Sequence, residues 1–263
     1  MRTNGLIGYL GRTFHYRELI RHMVVADRKR KQNNTLLGFL WSFLNPLLSM
    51  AVYLFIFKVI FKSKIENYAL YLFWGLLPFR ATQMAISDSA SSIVSKGRLI
   101  NSVAFPRIIL PVTQVLSSGY QFTLTLLVLI PISFLLGGEL SLSLLLLPII
   151  VLLQLVLTMG LALLAATANA YFRDVENLLP HLMRMWFYLS PGVYDMDQVP
   201  QSLRRLYLLN PFRVIMPAYR EVMMYGRVPD FSQWLWPTAA AVFVLVAGLL
   251  VFYHRESIFP KLV

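Results

Sequence analysis

The sequence predicts an all-α integral membrane protein with six transmembrane helices. Of its 263 residues, 57% are hydrophobic and only 14% are charged, whereas a soluble domain carries about 25% charged residues. The mean hydropathy is +0.62, and the apolar residues lie in long runs. Because a transmembrane helix needs about 20 mainly apolar residues, these runs are the second observation behind the prediction.

Six apolar segments are long enough to be predicted spans, some of them with interruptions. They are residues 36–61, 68–93, 108–136, 142–171, 178–193 and 234–253. The fifth is short and ends at Pro191-Gly192. The Gly137-Gly138 pair predicts a turn between the third and the fourth.

The region between the fifth and sixth segments, residues 195–231, is too polar to cross a bilayer. It nevertheless contains apolar pieces, which four prolines separate. Irregular backbone at membrane depth is tolerated only where protein or water covers it. We therefore expect short re-entrant helices that dip into the outer face of the membrane.

The basic residues predict the orientation. Cytoplasmic loops carry an excess of Lys and Arg, and the "DRKRK" block at 27–31 lies directly before the first span. Six spans then place both termini in the cytoplasm. A net charge of +12 would indicate a nucleic-acid partner in a soluble protein, but here loops that face anionic lipid account for it. The absence of cysteine excludes disulfides and thiolate metal sites.

An amphipathic helix is predicted before the first span. Its apolar stripe consists of Tyr16, Leu19, Ile20, Met23 and Val24, at helical spacing. Three arginines, Arg17, Arg21 and Arg28, lie off this stripe. The pattern is typical of a helix on the lipid surface, and its polar face remains open to a partner.

A permanent charge, Arg184, lies inside the fifth span. His181, Arg184 and Tyr188 share one helical face at i, i+3 and i+7. A charge at the bilayer centre costs about 2.5–3.5 kcal/mol on insertion scales, so it should face a cavity or a partner. One interpretation is a polar stripe that lines a pathway, with Arg184 at an anionic ligand; the other is a contact with another span or a side chain that snorkels to the surface.

Three consecutive aromatic residues follow Arg184 closely. Trp186, Phe187 and Tyr188 are each turned by about 100° from the next, so one or two can face a conduit while the rest contact protein or lipid. An ordinary aromatic belt at the membrane interface is the alternative. Trp41 and Tyr53 of the first span add rings, and aromatic faces suit the C–H faces of sugars.

Catalytic and metal-binding motifs are absent from the sequence. It contains no G-x-x-x-x-G-K-[ST] loop for nucleotide phosphates and no H-E-x-x-H zinc motif, and no carboxylate pair lies in a span. We therefore expect no catalytic residue, no metal and no cofactor on this chain. The residues indicate a conduit without an energy source of its own, and not an enzyme.

Several motifs in order along the chain carry a family resemblance. They are LGFLWSFLNP at 37–46, FPRIILP at 105–111, YFRD at 171–174 and LNP at 209–211, within similar stretches at 34–61, 75–117 and 170–226. Together they resemble the membrane permeases of ABC exporters for cell-surface polysaccharides. These are the O-antigen, capsule and teichoic-acid exporters of the ABC-2 type.

The resemblance implies a homodimer of permeases with two separate ABC ATPase subunits, which bind the ATP and Mg²⁺. The cargo would be an undecaprenyl-linked polysaccharide that leaves the cytoplasm across the bacterial inner (plasma) membrane. Docking to the ATPase would involve the amphipathic helix and the cytoplasmic segment 95–106. The corresponding residues are Arg17, Arg21, Lys96, Arg98, Leu99 and Ile100.

The resemblance also implies a conduit lined by aromatics of spans one and five. Its predicted residues are Trp41, Tyr53, His181, Arg184, Trp186 and Tyr188. Pro191 and Gly192 would begin a gate that continues into the re-entrant helices.

The predicted organisation is one domain over 1–263 in four parts. They are a cytoplasmic amphipathic interface region (1–33), spans one to five (34–194), the re-entrant gate region (195–231), and span six with a cytoplasmic tail (232–263). Two alternative functions stay open: an ABC-2 permease for a small amphiphile or lipid, and a membrane-bound glycosyl- or acyltransferase, for which no catalytic constellation is visible.

Overall fold

The computed structural model describes residues 5–32, scattered positions between 40 and 56, residues 67–139, 141–192, 194 and 199–263. Within these residues all regular structure is helical. Most of the predicted first span, including Tyr53, lies outside the described residues.

The helices are numbered here in chain order. They are α1 (Leu6–His15), α2 (Arg17–Gln32), α3 (Tyr68–Ser91), α4 (Gly97–Ser102), α5 (Ile109–Leu135), α6 (Leu147–Tyr171), α7 (Asp174–Tyr188), α8 (Gln201–Leu208), α9 (Phe212–Met223), α10 (Leu235–Arg255) and α11 (Phe259–Leu262).

Among the described residues, three helical segments are long and apolar enough to cross a membrane. They are Ile109–Leu135, Leu142–Tyr171 and Phe231–Leu262, which coincide with the predicted third, fourth and sixth spans. The predicted second span forms α3, with 24 residues. The predicted fifth forms α7, whose 15 residues extend only about 22 Å at 1.5 Å per residue.

Helix α3 lies at the centre of the bundle, and Pro78 interrupts its backbone hydrogen bonding. Gln154 on α6 lies beside this interruption: its Nε2 donates to the Pro78 carbonyl at 2.7 Å and to Thr82 Oγ1 at 3.1 Å. The Tyr219 hydroxyl on α9 donates to Gln154 Oε1 at 2.7 Å. Because lipid supplies no hydrogen bonds, polar groups in a bundle must find such partners. This network joins α3, α6 and α9.

Helices α6 and α10 approach each other at two glycines, Gly160 and Gly248. A Cβ on Gly160 would stand 2.5 Å from Leu245 N and from the Val244 carbonyl carbon, and one on Gly248 would stand 2.5 Å from Gly160 O. Small residues permit this distance between helices in membranes.

We expect Gly160→Ala to destabilise the protein by about 1–3 kcal/mol, the range for overpacking a filled core. The new methyl meets backbone atoms, which cannot rotate away. Thermal unfolding in detergent measures the change. Gly11→Ala in α1 is the control, since nothing lies within 4 Å of its added Cβ; equal unfolding temperatures for the two variants would contradict the prediction.

One end of the bundle holds the turn between α5 and α6. Gly137 has φ of 99°, a conformation that favours glycine, and Asn67 Nδ2 donates to the Leu136 carbonyl at 2.6 Å. Ser133 Oγ donates to the Met223 carbonyl at 3.3 Å. The C-terminal end of α9 therefore lies at this same end, which we call the gate end.

The opposite end of the bundle gathers α1, α4, α11 and the end of α10. The Tyr9 hydroxyl donates to the Glu256 carboxylate, and the Tyr9 and Tyr253 rings are 5.1 Å apart. Burial, followed by the charge of Glu256, raises the pKa of Tyr9 well above its ordinary value, so the phenol keeps its proton. The N-terminal helices and the chain's last helix thus pack together at this end of the bundle, which we call the docking end.

Helix α2 packs along α5 and is anchored there by a carboxylate. Asp27 is 5% exposed; Gln114 Nε2 donates to its Oδ1 at 3.3 Å and Ser117 Oγ to its Oδ2 at 2.8 Å. The Arg28 guanidinium lies 3.7 Å from the centre of the Tyr120 ring. A polar anchor therefore supplements the apolar stripe predicted for this helix, of which Tyr16, Ile20 and Met23 contact a buried apolar cluster.

Candidate conduit and gate

Helix α7 presents three different faces. Met183 and Phe187 are buried against the bundle. Its apolar exposed residues are Leu178, Leu182, Met185 and Leu189. Its polar stripe consists of Asn177, His181, Arg184 and Tyr188, all exposed.

The polar stripe brings together three of the predicted conduit residues, His181, Arg184 and Tyr188. Asn177, four residues before His181, extends it by one turn. In the described part of the chain, Arg184 forms no ion pair. The stripe therefore offers a guanidinium, an imidazole, an amide and a phenol to whatever lies beside this helix.

Trp186 lies on a different side of α7. Its Nε1 donates to Asn210 Oδ1 at 3.0 Å, and its ring contacts Phe79 and Phe212 at centroid distances of 6.1 and 5.2 Å. The indole thus joins α7 to α3 and α9 instead of pointing along the polar stripe. Among the predicted conduit residues of the first span, Trp41 is 40% exposed, and Tyr53 lies outside the described residues.

The turn that ends α7, residues 189–192, is called the gate turn here. Asn210 reaches it from before α9: its Nδ2 donates to the Leu189 carbonyl at 2.9 Å and to Ser190 Oγ at 2.8 Å. The Ser190 carbonyl accepts from the Gly192 N–H at 2.7 Å.

Arg220 satisfies the remaining carbonyls of the gate turn. It is 3% exposed, and its Nη1 and Nη2 donate to the carbonyls of Pro191 and Gly192, each at 2.7 Å. Its Nε donates to the Tyr71 carbonyl at 3.0 Å, and the guanidinium lies 3.5 Å from the centre of the Tyr71 ring. With Asn210 included, every carbonyl from Leu189 to Gly192 has a donor, as buried backbone requires.

Two glycines make room for this arrangement. A Cβ on Gly75 of α3 would overlap the Arg220 guanidinium and stand 2.5 Å from the Gly192 carbonyl oxygen. A Cβ on Gly192 would stand 2.6 Å from the Phe187 ring. The gate turn, α3 and α9 therefore meet in one close contact at the gate end.

Comparison with known proteins places this architecture in a family. A family model described as "ABC-2 type transporter" matches residues 18–224. The chain belongs to the ABC-2 type transporter family. The resemblance read from the motifs is thereby confirmed, and this ABC-2 transporter is a multi-pass membrane protein.

Several relatives of this ABC-2 transporter are named for polysaccharide export. The O-antigen export system permease protein RfbA of Myxococcus xanthus is 31% identical over 250 residues, covering 94% of this chain and 96% of the relative. RfbA of Klebsiella pneumoniae is 33% identical over 239 residues, covering 90% and 91%. The polysialic acid transport protein KpsM of Escherichia coli is 22% identical over 224 residues, covering 84% and 87%.

The docking end of this ABC-2 transporter exposes most of the residues predicted to meet an ATPase. Arg17, Arg21, Arg98 and Leu99 are exposed, and Lys96 is half-buried. Ile100 is 3% exposed. Its buried side chain therefore packs α4 against the apolar cluster, while Lys96, Arg98 and Leu99 form the surface.

Sequence reasoning missed three residues that the ABC-2 fold uses. Arg220 was given no role by the sequence, yet it is buried at the gate turn. Asn210 was recognised only as part of the LNP motif, although its place before a proline and a helix is typical of a capping residue. Asp27 appeared only as the first letter of a basic block.

Proposed function

We propose that this chain is the permease subunit of an ATP-driven exporter that moves lipid-linked cell-surface polysaccharide out of the cytoplasm. The observation that carries the proposal is the likeness, over nine-tenths or more of the chain, to O-antigen export permeases. An exposed polar stripe on an otherwise apolar helical bundle supports a conduit.

The proposed topology has six spans, with both termini on the cytoplasmic side of a bacterial inner membrane. Helix α7 and the gate turn together form the fifth span, and α8 and α9 form the re-entrant helices behind it. In support, the described basic residues of α1, α2 and α4 gather at the docking end, as expected for the cytoplasmic side.

The proposed partners are a second copy of this permease and two ABC ATPase subunits that carry ATP and Mg²⁺. The ATPases bind at the docking end through Arg17, Arg21, Lys96, Arg98 and Leu99. The undecaprenyl-phosphate anchor and the glycan travel along the polar stripe, where Arg184 meets phosphate and Tyr188 offers a ring to sugars.

The gate turn moves with α9 in this mechanism. Asn210 and Arg220 donate three hydrogen bonds to its carbonyls and one to the Ser190 hydroxyl. Opening by displacement of the α9 unit preserves these bonds, whereas unfolding the turn alone would leave buried carbonyls without donors.

The test of the conduit is Arg184→Gln in a strain that lacks the wild-type permease gene. We expect surface polysaccharide to fall about tenfold or more, since loss of a charge-assisted bond to phosphate weakens binding by about 1.5–3 kcal/mol. Thermal stability and co-purification with the ATPase should stay unchanged because Arg184 is exposed.

Arg184→Lys and Arg227→Gln are the controls for this test. The lysine variant keeps the positive charge and should retain much of the export. Arg227 is exposed after the end of α9 and is not part of α7. Wild-type amounts of surface polysaccharide in the Arg184→Gln strain would refute the proposed role.

A further inference from the structure

A groove of about 590 Å³ opens beside α9, away from the polar stripe. It lies between α8, α9 and the start of α10, and its polar and aromatic lining comprises Arg204, Arg213, Glu221, Asp230, Gln233 and Trp234. Ligand pockets in proteins typically occupy about 300–1,000 Å³. None of these residues takes part in the contacts of the gate turn.

The charges of the described lining of the groove balance. Two arginines, Arg204 and Arg213, face two carboxylates, Glu221 and Asp230. A site for a phosphate or another anion would carry an excess of positive charge. The balanced lining instead suits a neutral ligand with many hydroxyl groups, each of which both donates and accepts hydrogen bonds.

Part of this lining is held in place before any ligand arrives. Arg213 Nη2 donates to Gln233 Oε1 at 3.1 Å, and Gln233 Nε2 donates to Asp230 Oδ2 at 3.0 Å. The Ser232 N–H donates to Asp230 Oδ1 at 3.0 Å. Hydrogen bonds from Ser232 and Gln233 hold the pKa of Asp230 below its ordinary value, so this carboxylate is an acceptor at neutral pH.

Glu221 and an apolar wall complete the chemistry of the groove. Glu221 is half-buried, and within the described chain its carboxylate forms neither a side-chain hydrogen bond nor an ion pair. The Glu221 carboxylate shares the groove with Arg213, Gln233 and Asp230, which already have hydrogen-bond partners. Trp234 is 8% exposed and contributes little surface, whereas the exposed side chains of Leu208 and Val228 supply an apolar wall. A free carboxylate, fixed planar polar groups and an apolar wall are the combination that binds a sugar ring by its hydroxyls and its C–H face.

We propose that this groove binds neutral hexose units of the exported polysaccharide at the gate end. The proposal rests on the proposed function and adds a second glycan site outside the conduit. Sugar hydroxyls bond Glu221, Asp230 and the arginines, and the ring lies against the apolar wall of Leu208 and Val228. The site holds the emerging chain while the next units pass the gate turn.

The test uses the complete exporter, permease with ATPase, in lipid nanodiscs. The probe is the host strain's surface polysaccharide, released from its lipid by mild acid, and calorimetry gives its Kd. We expect Glu221→Gln to raise the Kd about tenfold, because it replaces a charged acceptor of sugar hydroxyls. Asp230→Asn should raise the Kd as well. Because Asp230 is exposed, this variant should fold normally, so it tests the groove even if Glu221→Gln misfolds.

Glu139→Gln is the matched control, since Glu139 is an exposed carboxylate at the gate end outside the groove, and it should leave the Kd unchanged. Wild-type Kd values for both groove variants would overturn the proposal. Competition by undecaprenyl phosphate or inorganic phosphate would also overturn it, because the groove would then be an anion site. Export by the wild-type protein is measured separately, and its absence would refute the proposed function instead.

Discussion

Replacing Arg220 with methionine is expected to lower the free energy of unfolding by about 3 kcal/mol or more, since each buried carbonyl left without a donor costs about 1–3 kcal/mol. Methionine fills a similar length without a donor. The carbonyls of Tyr71, Pro191 and Gly192 then lose the hydrogen bonds that Arg220 supplies. Because the gate turn depends on these bonds, the damage should concentrate at the end of α7.

Thermal or chemical unfolding of the purified protein in detergent measures this change. Arg220→Lys should be intermediate, since a lysine keeps the charge but lacks the planar fork that reaches two carbonyls. Arg227→Met is the control: Arg227 is exposed, so its replacement should shift stability by about 0.5 kcal/mol or less. Equal unfolding of the Arg220 and Arg227 methionine variants would show that the buried guanidinium contributes nothing.

Asp27→Asn is expected to separate ATP hydrolysis from export. The amide would present an N–H₂ group to Gln114, itself a donor, and weaken the anchor of α2 on α5 by about 1–3 kcal/mol. ATPase subunits that bind α2 would then move this helix without moving α5. We expect the complex to retain ATPase activity while surface polysaccharide falls about tenfold.

Export in cells and ATP hydrolysis by the purified complex are the two measurements for Asp27. Glu18→Gln is the control on the same helix, because the Glu18–Arg21 pair is exposed and such pairs contribute about 0–1 kcal/mol. If the Asp27→Asn complex loses both activities together, the carboxylate serves assembly instead of coupling. If it exports normally, the anchor has no role in transport.

The parts of the fold that could be predicted were those with a periodic or continuous signal. Long apolar runs predicted the helices that became α5, α6 and α10. A 3.6-residue period predicted that His181, Arg184 and Tyr188 share a face of α7, and the structure places them on one exposed side. Ordered motifs predicted the family, which the comparisons confirmed. The four-part domain division and the role of each conduit residue stay predictions.

The parts that could not be predicted depend on contacts between segments far apart in sequence. Arg220 lies 28 residues from its acceptor Gly192, and nothing local distinguishes it from an exposed arginine. Helix α9 is amphipathic, with Phe212, Ile215 and Tyr219 on its buried face, but this pattern does not show that the charged Arg220 is buried as well. In the sequence, Gly160 is a single glycine in an apolar run. Only the structure shows that the backbone of α10 lies too close to it for a side chain to fit.

The atoms that accept hydrogen bonds from Arg220 determine which residues of the gate turn can differ between related permeases. All three are main-chain oxygens, which every amino acid possesses. The side chain at position 191 therefore does not determine these hydrogen bonds, and related permeases adapted to different cargo could vary it while keeping the arginine. The strict requirement falls instead on two glycines, because a Cβ on Gly75 would occupy the guanidinium's place and a Cβ on Gly192 would stand 2.6 Å from the Phe187 ring.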